Sequence, residues 1–188
     1  MAVPTPAPMS RLMYIGTLTA STSATLSFTA LNTASQALTI SAWKFNLRGL
    51  NPDTNSVSLT MRFSRSGAFL TASNYGYSSY GEPMAGTLAA QANAADNAAQ
   101  ILMGGVSAAA TNAAWGSSGV VTVFDPLGTT TFPAATYSMF QTTGATTGVS
   151  YHGGGTYVVA GALDGVQFFF SGGNITSGSV DCFAEVAQ

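Results

Sequence analysis

Charged side chains are scarce in this sequence. Only 6% of the residues are Asp, Glu, Lys or Arg, whereas about 25% is usual for a globular domain. The hydrophobic fraction of 46% is ordinary, so Ser, Thr, Asn, Gly and Ala take the place of the missing charges. Such a surface has little electrostatic repulsion to keep molecules apart. It is therefore typical of a protein that packs against copies of itself or against a larger assembly.

Cysteine and histidine each occur once, as Cys182 and His152. One cysteine cannot form an intrachain disulfide, which favours folding in the cytoplasm, and two such residues are too few for a zinc site. We therefore expect no metal and no cofactor. Cys182 has the inward parity of a predicted strand and is expected to be a small buried hydrophobe. His152, in the sequence YHGGG, is predicted to lie in a solvated loop.

The chain also lacks an apolar run of about 18 residues, so no membrane insertion is expected. Its first residues, MAVPTPAPMSR, do not have the pattern of a secretory signal. Alternating prolines keep residues 1–10 extended, and we interpret them as an arm that lies on a neighbour, followed by one domain over residues 11–188. The net charge of −2 argues against nucleic acid as a partner. All five basic residues precede residue 66, and the later acids are expected to pair with them or with another subunit.

Apolar residues recur at every second position in several stretches, which indicates half-buried strands. The end of the chain, Asp164–Val186, has two such runs joined by Gly172 and Gly173, and we predict an antiparallel hairpin near the middle of a sheet. Asp181 and Glu185 share the outward parity of the second run and are predicted to face solvent or a neighbouring subunit. The inward positions of that run are Val180, Cys182, Ala184 and Val186.

A second hairpin is predicted between residues 37–50 and 57–64, with a proline-containing turn at residues 51–56. A switch of parity near Ala42 and Trp43 predicts a bulge or a twist that moves the first strand from one sheet to the other. The inward positions of the second strand are Val57, Leu59, Met61 and Phe63.

Further short strands are separated by clusters of Gly, Ser, Thr and Pro. The Ala-rich residues 85–100 have a spacing that suits a helix, but we predict a loop leading to a short strand at residues 100–103, because the rest of the chain is β. The fold class is therefore predicted to be all-β, an antiparallel two-sheet sandwich. The other predicted strands are residues 11–19, 120–124, 137–140, 149–151 and 157–160. A further short strand begins with Leu26 and Phe28, with Leu31 as a candidate member, and residues 73–81 are a short strand or a loop.

Groups suited to catalysis are few. The chain has neither a G-x-S-x-G nucleophile elbow nor a phosphate-binding G-x-x-x-x-G-K-[ST] loop. Asp164, Asp181 and Glu185 lie on or beside the last predicted hairpin and could form the carboxylate pair that a glycosidase needs. Seven acids spread over a long chain, however, form some close pairs by chance. We expect no catalytic residues and a protein that is not an enzyme.

Aromatic residues provide a candidate binding surface. Tyr75, Tyr77 and Tyr80, together with Trp115, could stack on the sugar rings of a glycan or dock a partner, since aromatic anchors are enriched in binding hot spots. For each residue taken singly, packing within a sheet or at a subunit interface is the alternative, and we favour it.

Three segments, in this order along the chain, resemble a β-sandwich module that is widespread in the virion proteins of tailed bacteriophages. They read WKFNLRGLNPDTNSVSLTMRFSRSGAF at Trp43–Phe69, NYGY at Asn74–Tyr77 and LDGVQFFFSGGNITSGSVDCFAEV at Leu163–Val186. The resemblance implies a jelly-roll-like sandwich with a structural role in a phage particle, commonly as a trimer. Phe183–Ala184 stands where the family pattern favours Tyr-Gly. The resemblance carries no catalytic residues.

The expected function is that of a bacteriophage virion structural protein. The first hypothesis is a capsid decoration or cement protein. We expect it to form a homotrimer, to be assembled in the host cytoplasm, and to bind the major capsid protein or other virion proteins. The alternatives are a tail or fibre-associated protein that binds a receptor or a host surface glycan, a separate carbohydrate-binding module, and, as a third option, a glycan-cleaving enzyme.

Overall fold

The computed structural model describes residues 10–32, 39–84, 91–104, 116–144 and 147–187, and this part of the chain is all β, as predicted. Of the predicted N-terminal arm only Ser10 falls in these ranges. The described residues contain no helix that could cross a membrane. The strands are β1 Arg11–Thr19, β2 Leu26–Phe28, β3 Thr39–Pro52, β4 Leu59–Arg65, β5 Ala68–Phe69, β6 Tyr75–Pro83, β7 Gln91–Ala98, β8 Ile101–Leu102, β9 Ser117–Phe124, β10 Ala134–Gly144, β11 Thr147–Tyr157, β12 Gly165–Phe170 and β13 Ile175–Ala187.

Two antiparallel sheets pack face to face. The larger sheet has eight strands in the order β1-β13-β3-β9-β10-β11-β6-β7, and the smaller has β2-β12-β4-β5 with β8 also paired to β4. Eight of these strands form two four-stranded layers, β1, β13, β3 and β9 in one and β2, β12, β4 and β8 in the other, and the chain changes layer after each of the eight except β4. This is the arrangement of a jelly roll. The strands β10, β11, β6 and β7 extend the larger sheet beyond β9, and we call them the extension.

The pairing of both predicted hairpins is wrong. β3 pairs with β13 and β9, whereas β4 pairs with β12, so residues 51–56 link two sheets and do not close a hairpin. The link from β12 to β13 crosses between the sheets in the same way. In each case both arms carry an inward apolar face, and these faces meet across the core. Alternation and turn residues reveal where the chain reverses, but not which sheet receives the next strand.

The two crossing links are tied to each other by Asp53 and Asn174. The Asn174 backbone N–H donates to Asp53 Oδ1 at 2.8 Å, and the Asn174 side-chain amide donates to Oδ2 at 3.0 Å. In return the Asp53 N–H donates to the Asn174 carbonyl oxygen at 2.9 Å. The backbone N–H of Asn174, the Thr54 hydroxyl and the Asn174 side-chain amide all donate to the carboxylate, so they favour its ionised form and hold the pKa of Asp53 below its usual value.

The core lies between the sheets and is rich in aromatic rings. Phe45 of the larger sheet contacts Phe28 and Phe168 of the smaller sheet, with ring centroids 5.4 and 5.3 Å apart. Tyr75 makes a similar contact with Phe63 at 5.8 Å. Such tilted and edge-on contacts stabilise a core beyond the burial of apolar area alone. The predicted inward residues of β4 and β13 are all buried, as predicted. Thr60 and Ser64, which have the opposite parity in β4, are buried as well, so parity does not separate covered from exposed residues in that strand.

Three local predictions change in the structure. The parity switch in β3 coincides with a register irregularity at Ser41, but the strand stays in one sheet along its whole length. Within the Ala-rich segment, residues 91–98 form the edge strand β7, which is neither the predicted loop nor a helix, while residues 85–90 lie outside the described ranges. Residues 157–160 do not form a separate strand, since β11 ends at Tyr157.

We expect Asp53→Asn to lower the melting temperature by a few degrees at neutral pH, because the carboxylate loses its paired bonds to Asn174. A carboxyl whose pKa is lowered by folding stabilises the protein above its unfolded pKa, here 3.8, and this contribution disappears as the pH falls through the folded value. The difference between variant and wild type in thermal unfolding should therefore shrink at about pH 2. Asp96→Asn, at an exposed position, is the matched control and should change little; equal effects of both variants would contradict the prediction.

Candidate functional site

The outer face of the larger sheet carries most of the exposed large apolar side chains of the described chain. Its jelly-roll half includes a group that we call the outer apolar patch. Leu12 and Tyr14 of β1 are 55% and 58% exposed, and Val120 and Phe124 of β9 are 45% and 47% exposed. Phe183 completes the patch, with its ring edge-on to Tyr14 at 5.6 Å between centroids. The outward residues of β3 are polar and lie between the members from β1 and β13 and those from β9, so the patch has two parts. Apolar groups concentrated on one face indicate an interaction surface.

The charges on this half of the face neutralise one another. The Lys44 ammonium lies 2.6 Å from Glu185 Oε2, and its hydrogen bond, followed by that of the Ser10 hydroxyl, lowers the pKa of Glu185. Arg48 pairs with Asp181, which also accepts a 2.6 Å hydrogen bond from the Thr17 hydroxyl. Both pairs join early bases to late acids, as the uneven charge distribution predicts. The prediction that Asp181 faces solvent is wrong, because its neighbours cover it and leave it buried.

The extension carries a different feature on the same outer face, an open depression of 640 Å³ between β11, β6 and β7. Small residues occupy its floor, so the side chains that elsewhere stand up from a sheet are missing. We call it the outer depression. Its principal lining residues are Gly76, Ser78, Ala94, Asp96, Gly154 and Thr156.

The tyrosines proposed from the sequence have unlike surroundings. Tyr75 is fully buried, its hydroxyl accepting from the Phe63 N–H at 2.9 Å and donating to the Leu70 carbonyl at 3.2 Å. Burial raises the pKa of Tyr75. Tyr77 packs against the core and is partly buried, whereas Tyr80 is 48% exposed beside the outer depression. Tyr75 thus has no free ring face for a ligand, and Trp115 lies outside the described residues.

The groups considered for catalysis lie apart. Asp164 accepts hydrogen bonds from the Ser64 hydroxyl and the Gly67 N–H beside the smaller sheet, whereas Asp181 and Glu185 lie on the outer face of the larger one. Cys182 faces the core, as predicted, and desolvation raises its pKa to about 12. His152 is exposed in β11 and not in a loop, which corrects that prediction.

Within the described ranges, no three His, Cys, Asp or Glu residues lie close enough together to hold an ion.

Sequence reasoning missed the outer depression and most of the outer apolar patch. The glycine run of YHGGG was the available signal for the depression, because glycine in a strand often marks close approach of another molecule. Leu12, Val120 and Phe124 gave no comparable signal, since apolar residues of either parity look alike in a strand. Only the pairing of β1 and β9 within one sheet brings them to the same face.

Tyr75→Phe should lower the free energy of unfolding by about 1–3 kcal/mol, because the Phe63 N–H and the Leu70 carbonyl lose a buried partner. Tyr80→Phe is the matched control, and at its exposed position we expect a change within about 0.5 kcal/mol. Urea unfolding followed by tryptophan fluorescence measures both. Equal stability of the two variants would show that the Tyr75 hydroxyl is not a structural group.

Comparison of the chain with protein-family models, with curated proteins and with solved structures found no match. The functional proposals therefore rest on the residues and geometry described above.

Proposed function

We propose that the protein is a structural protein of a bacteriophage particle, which decorates the capsid and stabilises it through contacts between subunits. The observation that carries this proposal is the outer apolar patch, on a face whose charges are already paired. The resemblance of the three sequence segments to phage virion modules supplies the biological setting. In this proposal the protein forms a homotrimer in the virion, binds the major capsid protein, and is assembled in the host cytoplasm.

The dimensions of the patch favour many weak contacts over one strong contact. The whole outer face of the four-stranded layer, with strands about 4.8 Å apart and about 26 Å long, presents roughly 500 Å², and the outer apolar patch is only part of it. A stable interface buries about 800 Å² on each partner, so one such contact holds a subunit weakly. Several contacts made at once, as on a lattice of capsid subunits, raise the overall affinity by mass action. A decorating protein is bound in this manner.

The paired charges suit this role. An ion pair such as Lys44–Glu185 adds little to stability at a surface, but it leaves no unpaired charge to be desolvated when a neighbour covers the face. Arg62 and Arg65 are also engaged: Arg62 donates to the Ala99 carbonyl and lies over the Phe169 ring, and Arg65 donates to backbone carbonyls. These bases are therefore held within the domain, which supports a protein partner over nucleic acid.

Val120→Asp should reduce binding to undecorated phage heads at least tenfold, because it places an unpaired charge among the apolar residues of the contact. A tenfold loss of affinity corresponds to about 1.4 kcal/mol for each contact. Because a subunit makes several contacts at once, these losses add up in the overall binding free energy. Co-sedimentation with heads measures binding, and the temperature at which heads release DNA measures their stabilisation. Val159→Asp introduces the same change at another exposed valine, 42% exposed and outside the patch, and should bind normally.

Light scattering of the isolated protein provides a second readout, for which we expect three times the mass of one chain. Normal binding of Val120→Asp to heads would contradict the role of the patch. Recovery of the protein only with tails or fibres would contradict capsid decoration itself.

A further inference from the structure

Glycine occupies two positions in the outer depression, Gly76 and Gly154, for different structural reasons. A Cβ at Gly154 would lie 2.8 Å from the Ala135 carbonyl oxygen, so close packing of the strands requires glycine there. A Cβ at Gly76 would meet nothing nearer than Asp96 Oδ1 at 3.4 Å, which is an ordinary contact, and Gly76 is not in the left-handed region that favours glycine. Glycine weakens a strand interior. Gly76 stands opposite a register irregularity in β7, where glycine is common, but the space above it is open and would accept a side chain. Glycine at this position therefore keeps the floor of the depression low.

The rim of the depression offers hydrogen-bonding groups and one aromatic ring. The Ser78 hydroxyl lies on it, and the Asp96 side chain is exposed without an ion pair among the described residues. The Thr156 hydroxyl donates to the Pro133 carbonyl oxygen at 2.9 Å, so it can only accept a hydrogen bond from a ligand. Tyr80 follows Ser78 by two residues on the same face of β6, about 7 Å further along the strand. Its exposed ring therefore stands next to the depression, at a distance that a short oligosaccharide spans.

The charges in this region exclude several kinds of ligand. None of the strands β6, β7, β10 and β11 contains Lys or Arg, and their acids are Glu82 and Asp96. Exposed His152, opposite Tyr80, is the one residue of these strands that can become cationic. At neutral pH a polyanion such as nucleic acid or a sulfated glycan would meet the two carboxylates and no Lys or Arg. The opening is shallow and has no apolar pocket for a lipid chain. The surface is complementary to a flat, neutral molecule with many hydroxyl groups.

We propose that the outer depression binds a neutral oligosaccharide. The Tyr80 ring packs against the apolar face of one sugar, and the Asp96 carboxylate accepts hydrogen bonds from the hydroxyls of the next sugar above Gly76. The Ser78 hydroxyl donates or accepts at the same place. The site uses the extension, whereas capsid decoration uses the outer apolar patch. Failure of sugar binding would therefore not contradict capsid decoration, and failure of capsid decoration would not contradict sugar binding.

The isolated full-length protein should be titrated with maltotetraose, cellotetraose, chitotetraose and a β-galactotetraose, and binding followed by calorimetry and by NMR shifts. We expect at least one of these probes to bind with a Kd of about 1 mM or tighter. Gly76→Val fills the floor and should weaken that binding at least tenfold. Tyr80→Ala should do the same, because it removes the stacking ring.

Two controls separate loss of the site from loss of the fold. Tyr14→Ala removes an equally exposed tyrosine from the outer apolar patch and should leave the affinity for the sugar unchanged. Gly76→Ala is the milder filling variant, and circular dichroism with thermal unfolding checks that both Gly76 variants are folded. With the fold intact, a graded loss from Gly76→Ala to Gly76→Val supports the site.

Three outcomes would overturn the proposal. The first is that none of the four probes binds. The second is that the bound probe has the same affinity for wild type and for folded Gly76→Val. The third is that oligolysine or heparin binds in place of the neutral sugars and is released by Gly76→Val, which would assign the depression to a charged partner.

Discussion

Contact between the inner faces of the two sheets is the interaction on which the rest of the structure depends. Phe45 lies between Phe28 and Phe168 of the opposite sheet, and Trp43 and Phe63 are likewise completely buried. Because the chain crosses from one sheet to the other at successive strands, each crossing brings a new inward face against the existing one. The links at Asp53 and Asn174 hold two of these crossings at a fixed separation. The outer faces are then free for other uses.

The sequence predicted the kind of structure and much of its local detail. Period-two patterns located β4 and β13 and identified their buried apolar residues correctly, but not the buried polar residues Thr60, Ser64 and Asp181. Pairing between strands was not predictable in this way, because a turn such as residues 51–56 has the same composition whether it closes a hairpin or joins two sheets. The edge strand β7 was missed because alanine has little preference for strands, and its pairing with β6 decides its conformation.

The candidate surfaces were less predictable than the fold. Tyr75 and Tyr80 are five residues apart and of one type, yet one is a hydrogen-bonded core residue and the other is exposed. The difference follows from which face of β6 each residue occupies, and parity alone does not say which face is covered. The outer apolar patch joins residues from β1 and β9 that are more than a hundred positions apart. Only the strand order reveals such a combination.

The pairing of β1 with β13 sets Arg11 opposite Val186, at one end of a long antiparallel ladder. A load applied through these two residues acts across the ladder, so it reaches one pair of hydrogen bonds at a time. Such a ladder separates under a small force because its hydrogen bonds break in sequence. If the strands were pulled along their length, many hydrogen bonds would have to break at the same time. Mechanical strength in this domain consequently depends on the direction of pull, and a neighbour bound over β1 would reinforce its weak direction.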